Sequence, residues 1–140
     1  MSVLELMPHS KMIYYQTTLN GITASMLTGF FVGWRSPHTS QTHYQILHNS
    51  DFIVLAIDTT TNHVVGFITC ISDGIQSAFI PLLQVLPSYQ RQGIGSELVR
   101  RLLAQIEHLP AIDLTCAPDS QPFYESLGFT RTVGMCLRQY

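Results

Sequence analysis

The residues whose types and spacing most narrowly limit the chemistry are Gln90-Arg91-Gln92-Gly93-Ile94-Gly95. They follow an apolar run, Ala78-Phe79-Ile80-Pro81-Leu82-Leu83-Gln84-Val85-Leu86-Pro87, and open into a helix-like segment, Ser96-Glu97-Leu98-Val99-Arg100-Arg101-Leu102-Leu103. Strand, glycine turn and helix start in that order make an anion site. The N–H groups of a first helical turn lack internal partners and sit at the positive end of the helix dipole. Glycine lets a phosphate approach them without a Cβ in the way. Two familiar phosphate loops do not fit. The nucleotide-hydrolase loop needs a lysine after its last glycine, and the only lysine in the chain is Lys11. The dinucleotide loop needs a third glycine where Leu98 stands, and it normally opens a domain rather than sitting two-thirds of the way along one.

The pattern that fits is Q/R-x-x-G-x-G/A. With Val85, Pro87 and the later Phe123-Tyr124-Glu125-Ser126-Leu127-Gly128-Phe129, it resembles the GCN5-related N-acetyltransferase family. The resemblance is close over about residues 76–130 and rests on the order of elements before that. It implies an α/β fold, a mixed α+β sheet in the order β-α-α-β-β-β-α-β-α-β-β, with acetyl-coenzyme A as co-substrate and no metal. It also implies transfer of the acetyl group to a primary amine, on a small molecule or a peptide, by direct attack in a ternary complex. By the same resemblance the backbone N–H groups of Gln92, Gly93, Ile94, Gly95 and Ser96 face the pyrophosphate, with Arg91 adding charge. Leu83, Val85 and Leu86 lie along the pantetheine arm, which pairs with a strand splayed from Ile112–Cys116, and the Val85 N–H meets the thioester carbonyl. Tyr124 matches the family's general acid; a phenol with a reference pKa near ~10 is protonated at neutral pH and can donate.

One departure stands out. Family members often carry a glutamate base on the strand before the glycine loop, and Ser77–Val85 has no carboxylate. Asp73, Asp119 and His43 are left as relay bases, though they read more simply as a turn residue, a helix cap and an exposed helix histidine. The departure also keeps a second reading open, a coenzyme A-binding sensor or interaction module without efficient catalysis. A third, acetylation of a macromolecule, finds no charged docking run.

Around the motif the elements follow from periodicity. A strand is predicted from Met12 to Thr18, after a possible N-terminal extension over residues 1–11, with one domain over 12–140. A helix is predicted over Ile22–Val32 with Thr23 as cap, and a second from Thr39 or Ser40 to about His48 with Tyr44 and Leu47 on one face. Phe52–Ile57, Val64–Ile71 and Ser77–Val85 read as a meander, apolar enough to be covered on both faces. The helix after the loop carries Leu98, Leu102 and Ile106 on one stripe and ends before Pro110. A strand over Ala111–Cys116 makes a parallel crossover. A short helix over Pro122–Leu127 stops at Gly128, and Thr130–Val133 and Met135–Arg138 are predicted as a last pair of strands, the edge through which such proteins often form homodimers. The acceptor pocket is expected to draw on Phe31 and Trp34, with Phe30, Tyr44 and Met135 as further candidates; Trp34 stands in the break between helices, where loops carry specificity.

Composition bounds the rest. At 140 residues with a net charge of −2 and no basic run, the chain lacks the Lys/Arg face of a nucleic-acid binder. No apolar run reaches the ~18–20 residues of a membrane span, and no secretory signal is evident. Cys70, Cys116 and Cys136 read as buried free thiols in a reducing compartment, which places the protein in the cytoplasm. His38, His43 and His48 are spaced by five, so they do not form an i, i+4 metal pair. Cys116, without a neighbouring cation, reads as an inert thiol rather than a nucleophile.

Overall fold

The computed structural model describes residues 12–139; the extension expected over residues 1–11 lies outside them. A mixed sheet forms the frame. Its strands are β1 (Ile13–Gln16), β2 (Phe52–Asp58), β3 (His63–Ser72), β4 (Ser77–Phe79), β5 (Leu83–Val85) and β6 (Ala111–Asp113). They run β1-β2-β3-β4-β6, with β5 also on β3. All pairs are antiparallel except β4 with β6. The helices are α1 (Ser40–Asn49), α2 (Ile94–Ile106) and the one-turn α3 (Gln121–Glu125).

β2 and β3 are buried along nearly their whole length because both faces are covered. On one face Val54, Ala56, Val65, Ile68 and Cys70 pack against Ile94, Leu98, Val99, Leu102 and Ile106 of α2. On the other, Ile53, Leu55, Ile57, Val64 and Phe67 pack against Leu27, Phe30, Phe31 and Leu47. A register shift at Ala56/Ile57 leaves Val65 without an opposite partner, so Val65 and the next residue, Gly66, both turn toward α2. A Cβ on Gly66 would stand 3.1 Å from Leu98 Cδ1 and 3.2 Å from Ile94 Cγ2. The missing side chain lets the N-terminal turn of α2 settle on the sheet, and that turn carries the glycine loop.

Several predicted elements take a different form. The helix expected over Ile22–Val32 is only a 3-10 turn, Ala24–Leu27. Gly29, Phe31 and Gly33 all adopt left-handed backbone, at φ 98°, 64° and 80°, and alternating left-handed residues end a right-handed helix. The strand expected over Ser77–Val85 is two strands, β4 and β5, separated by Ile80-Pro81-Leu82. The pair expected after Thr130 has no regular structure. Val133, Met135 and Leu137 keep the alternation of a strand but are 95%, 99% and 79% exposed, and among the described residues no strand pairs with them. Strand β6 also ends at Asp113 rather than Cys116.

α1 begins where expected: Thr39 caps it by accepting the Thr42 N–H at 3.1 Å. His43, expected at the surface, is only 1% exposed. Its ring lies 4.2 Å from that of Phe67 and 5.0 Å from that of Phe31. Neither ring nitrogen makes a hydrogen bond of ordinary geometry. Burial lowers its pKa from 6.5 to about 4, opposed by a contact with the Leu27 backbone, so the imidazole is neutral at neutral pH. Of the cysteines, Cys70 is buried with its thiol pushed up to about 11, Cys116 is partly covered and Cys136 is exposed.

Two outcomes follow from this packing. The unfolded chain binds a proton at His43 more tightly than the folded one, so the contribution of His43 to stability is constant above about pH 6.5 and declines as pH falls toward about 4. Urea melts of His43→Leu will lose much of that slope. Gly66→Val will cost about 1–3 kcal/mol in the same assay, because Leu98 and Ile94 must move off the sheet.

Candidate active site

The site begins where two strands part. β4 pairs with β6 through Phe79 and Asp113, and the Ile80 N–H still reaches the Asp113 carbonyl at 3.0 Å. Next comes Pro81, which has no N–H to extend the ladder. β5 resumes pairing on β3 alone. Thr69 donates to the Leu82 carbonyl at 3.0 Å and Leu86 donates to Val65 at 2.8 Å. In an antiparallel ladder only alternate residues face a given neighbour, so Leu83 and Val85 turn their N–H and C=O groups away from β3, into the opening beside β6. The Val85 carbonyl is taken by Gln90 Nε2 at 3.0 Å; the Val85 N–H is left facing the opening.

The chain then passes through a 3-10 turn, Pro87–Tyr89, into the glycine loop. The Tyr89 hydroxyl donates to Asp58 Oδ2 at 2.5 Å, tying the loop to the end of β2. That bond holds the Asp58 carboxyl below its usual range. Arg91 and Gly93 are left-handed at φ 63° and 83°. Gly93 caps α2 with no side-chain hydrogen bond. Glu97 is the first to donate back, to the Gly93 carbonyl at 3.1 Å. Among the described residues the N–H groups of Gln92 through Ser96 have no hydrogen-bond partner. Gly95 needs no special φ, and a Cβ there would make only ordinary contacts with Phe123 and Val85. A cleft of about 490 Å³ lies over this turn, lined by Leu83, Val85, Gln90, Arg91, Gly93, Ile94, Gly95, Ser96 and Phe123.

A second cleft of about 430 Å³ shares Leu83, Val85 and Gln90 with the first. Phe30, Phe31, Val32 and Trp34 line it from one side, Thr115 and Tyr124 from another. The Phe31 N–H donates to Gln84 Oε1 at 2.9 Å, and this bond holds a bulky residue in a left-handed conformation that costs roughly 1–3 kcal/mol. Trp34 stands edge-on to Phe31 at 5.0 Å. Tyr124 is steadied by Phe123 and Phe129, edge-on at 4.9 and 5.7 Å. Burial raises its pKa above the ordinary value, with Cys116 adding to the rise, so the phenol keeps its proton.

The structure therefore brings Leu83, Val85, the glycine loop, Phe31, Trp34 and Tyr124 around two adjoining clefts. Leu86 packs in the core beneath them, its Cδ2 where a Cβ on Gly29 would come within 3.2 Å. Tyr44 and Met135 do not line the aromatic cleft. His43 stands behind its wall, and Asp73 is consumed by the N–H groups of Ile75, Gln76 and Ser77. Gln90 opens the loop motif, but its bond to the Val85 carbonyl has no sequence signal. The role of Gln84 has none either, because it depends on a loop more than fifty residues away. Among the described residues no group of side chains could hold a metal, and no helix is long and apolar enough to cross a membrane.

Comparison with known proteins agrees with this architecture. The family model for an acetyltransferase (GNAT) domain matches residues 48–131. A proposed acetyltransferase from Deinococcus radiodurans R1 is 45% identical, covering 91% of this chain and 88% of its own, with a TM-score of 0.88. The chloroplastic GCN5-related N-acetyltransferase 3 of Arabidopsis thaliana is 36% identical over 50% of this chain. The matched segments span less than two thirds of the curated relatives, 30% of that one and 59% of another. The aminoglycoside N-acetyltransferase AAC(6')-Iy, solved in complex with CoA, shares the fold at 15% identity, with a TM-score of 0.68 over 96% of this chain and 98% of its own. A family model that covers more than half of the sequence, and a relative this similar along almost all of it, lead to one conclusion: the chain belongs to the GCN5-related N-acetyltransferase family.

Proposed function

We propose that this protein transfers an acetyl group from acetyl-coenzyme A to a primary amine by direct attack in a ternary complex. The observation that carries the proposal is two sets of unpaired backbone donors, the Val85 N–H and those of Gln92 to Ser96, along two joined clefts that end at a protonated phenol. The donors fit the ligand's chemistry. The N–H groups of Gln92 to Ser96, at the positive end of α2, suit a pyrophosphate, and Arg91 adds a cation at the loop's exposed side. Leu83 and Val85 offer a pantetheine arm the pairing that an added strand would receive. Acetyl-coenzyme A supplies an activated thioester. The Val85 N–H polarises its carbonyl as negative charge develops there.

The amine nitrogen forms a bond to the carbonyl carbon, the carbon–sulfur bond breaks, and the electron pair leaves on sulfur. Tyr124 donates its proton to that sulfur, and the proton shed by the amine passes to water. No side chain is assigned as general base: β4 and β5 carry no carboxylate, Asp73 and His43 are engaged elsewhere, and Asp119, which lies inside the 3-10 turn Pro118–Ser120 and not at a helix cap, lines neither cleft. That gap is the one observation favouring the second reading, a coenzyme A-binding sensor. The reducing compartment expected from three free cysteines is part of the same proposal.

Thiol release from acetyl-coenzyme A across a panel of amines tests the assignment. Tyr124→Phe is expected to lower kcat about 100-fold or more while the Kd for coenzyme A stays within about twofold, since the phenol acts on sulfur and not on the phosphates. Tight coenzyme A binding with no thiol release from any amine would instead favour the sensor. Gly93→Val puts a β-branched residue at a left-handed φ of 83°; isothermal titration should show coenzyme A binding weakened about tenfold or more.

A further inference from the structure

We infer that the acceptor is a monoamine carried on a flat, uncharged body, an arylalkylamine, and not a polycation; this rests on the acetyltransferase reading above. Charge is the first observation. Among the described residues, no side chain lining the aromatic cleft is an Asp, Glu, Lys, Arg or His. Its polar groups are Gln84, Gln90, Thr115, Tyr124 and backbone amides, all uncharged. Of the carboxylates elsewhere, Asp58 is engaged by Tyr89, Asp73 by its own turn, Glu97 by Arg101 and Glu125 by Arg131, and Asp51, Glu107, Asp113 and Asp119 do not line the cleft. A polyamine or aminoglycoside brings several ammonium groups, and each one taken from water needs an anionic partner. This cleft provides none.

Shape is the second. One wall is made of rings, with Trp34 edge-on to Phe31. That wall is rigid: Gln84 fixes the left-handed Phe31 backbone, and Phe31 rests against the buried His43 ring. A space of about 430 Å³ suits a phenyl or indole on a short arm. The ring faces attract an arriving ammonium without a carboxylate.

The same neutrality bears on the missing base. An ammonium in an uncharged, partly dehydrated cleft loses favour against the free amine, because desolvation lowers its pKa. The neutral nucleophile is then populated without a glutamate on the strand. A cleft that recruited cations through carboxylates would hold the amine charged and would need that glutamate.

The test is kcat/KM at saturating acetyl-coenzyme A for 2-phenylethylamine and tryptamine against spermidine and kanamycin. The arylalkylamines are expected to lead by about tenfold or more. Trp34→Ala, in an exposed loop that tolerates truncation, should raise the KM for tryptamine about fivefold or more and leave the KM for acetyl-coenzyme A unchanged. Val32→Glu, at a 70% exposed position on the cleft, should raise kcat/KM for spermidine relative to tryptamine. Preference of the unmodified protein for spermidine or kanamycin would overturn the inference and leave the acetyltransferase reading standing. Thiol release from no amine would overturn both.

Discussion

The structure depends on one interruption in a hydrogen-bonded ladder. β4 and β6 pair for three residues, Pro81 ends the pairing, and β5 continues on β3 alone. An unpaired backbone donor buried away from water carries a cost comparable to a lost hydrogen bond. A protein keeps such donors at an opening where water or a ligand can satisfy them. Here the Val85 N–H and the first turn of α2 both face that opening, one from a strand edge and one from a helix start. Two different kinds of unsatisfied backbone are thereby brought to one surface.

Holding the opening in place is work done from behind. Gly66 lets α2 press onto β3, so the helix start sits at a fixed height above the sheet. Tyr89 anchors the connecting turn to Asp58. Gln90 reaches back to the Val85 carbonyl, and Gln84 reaches across to the Phe31 backbone. Both glutamines join a loop to β5, so the glycine-loop and aromatic sides are set against the same three-residue strand. The neutral, buried His43 supports the aromatic side through ring contacts alone. These are short-range constraints on rigid elements, which suits the proposed transfer, where an error of an ångström in the position of a reacting group would be felt.

What could be read from the sequence was the part governed by local geometry. Gly93 is legible because a left-handed helix cap needs glycine there, and Gly95 because it completes the loop motif. Tyr124 is legible because its neighbours Phe123 and Phe129 place it at a fixed spacing. Apolar spacing over Ile22–Val32 masks two left-handed residues within the expected helix: Gly29 is visible in the sequence, but Phe31 at φ 64° has no sequence signal. A histidine on a helix is usually exposed, and the burial of His43 follows from rings contributed by distant segments. The strands after Thr130 had the correct alternation, yet alternation says nothing about whether a neighbour exists. Pro81 was in plain view within an apolar run, and its effect on pairing appears only once β6 is known to lie beside it.

Residue-resolved amide hydrogen exchange, with and without saturating coenzyme A, tests most directly the claim that the unpaired donors are the cofactor site. The amides of Val85 and of Gln92 to Ser96 should slow together by about tenfold or more, while those of β1 and α1 stay unchanged. Coenzyme A that binds while these amides continue to exchange at their free rates, with protection appearing elsewhere, would contradict it.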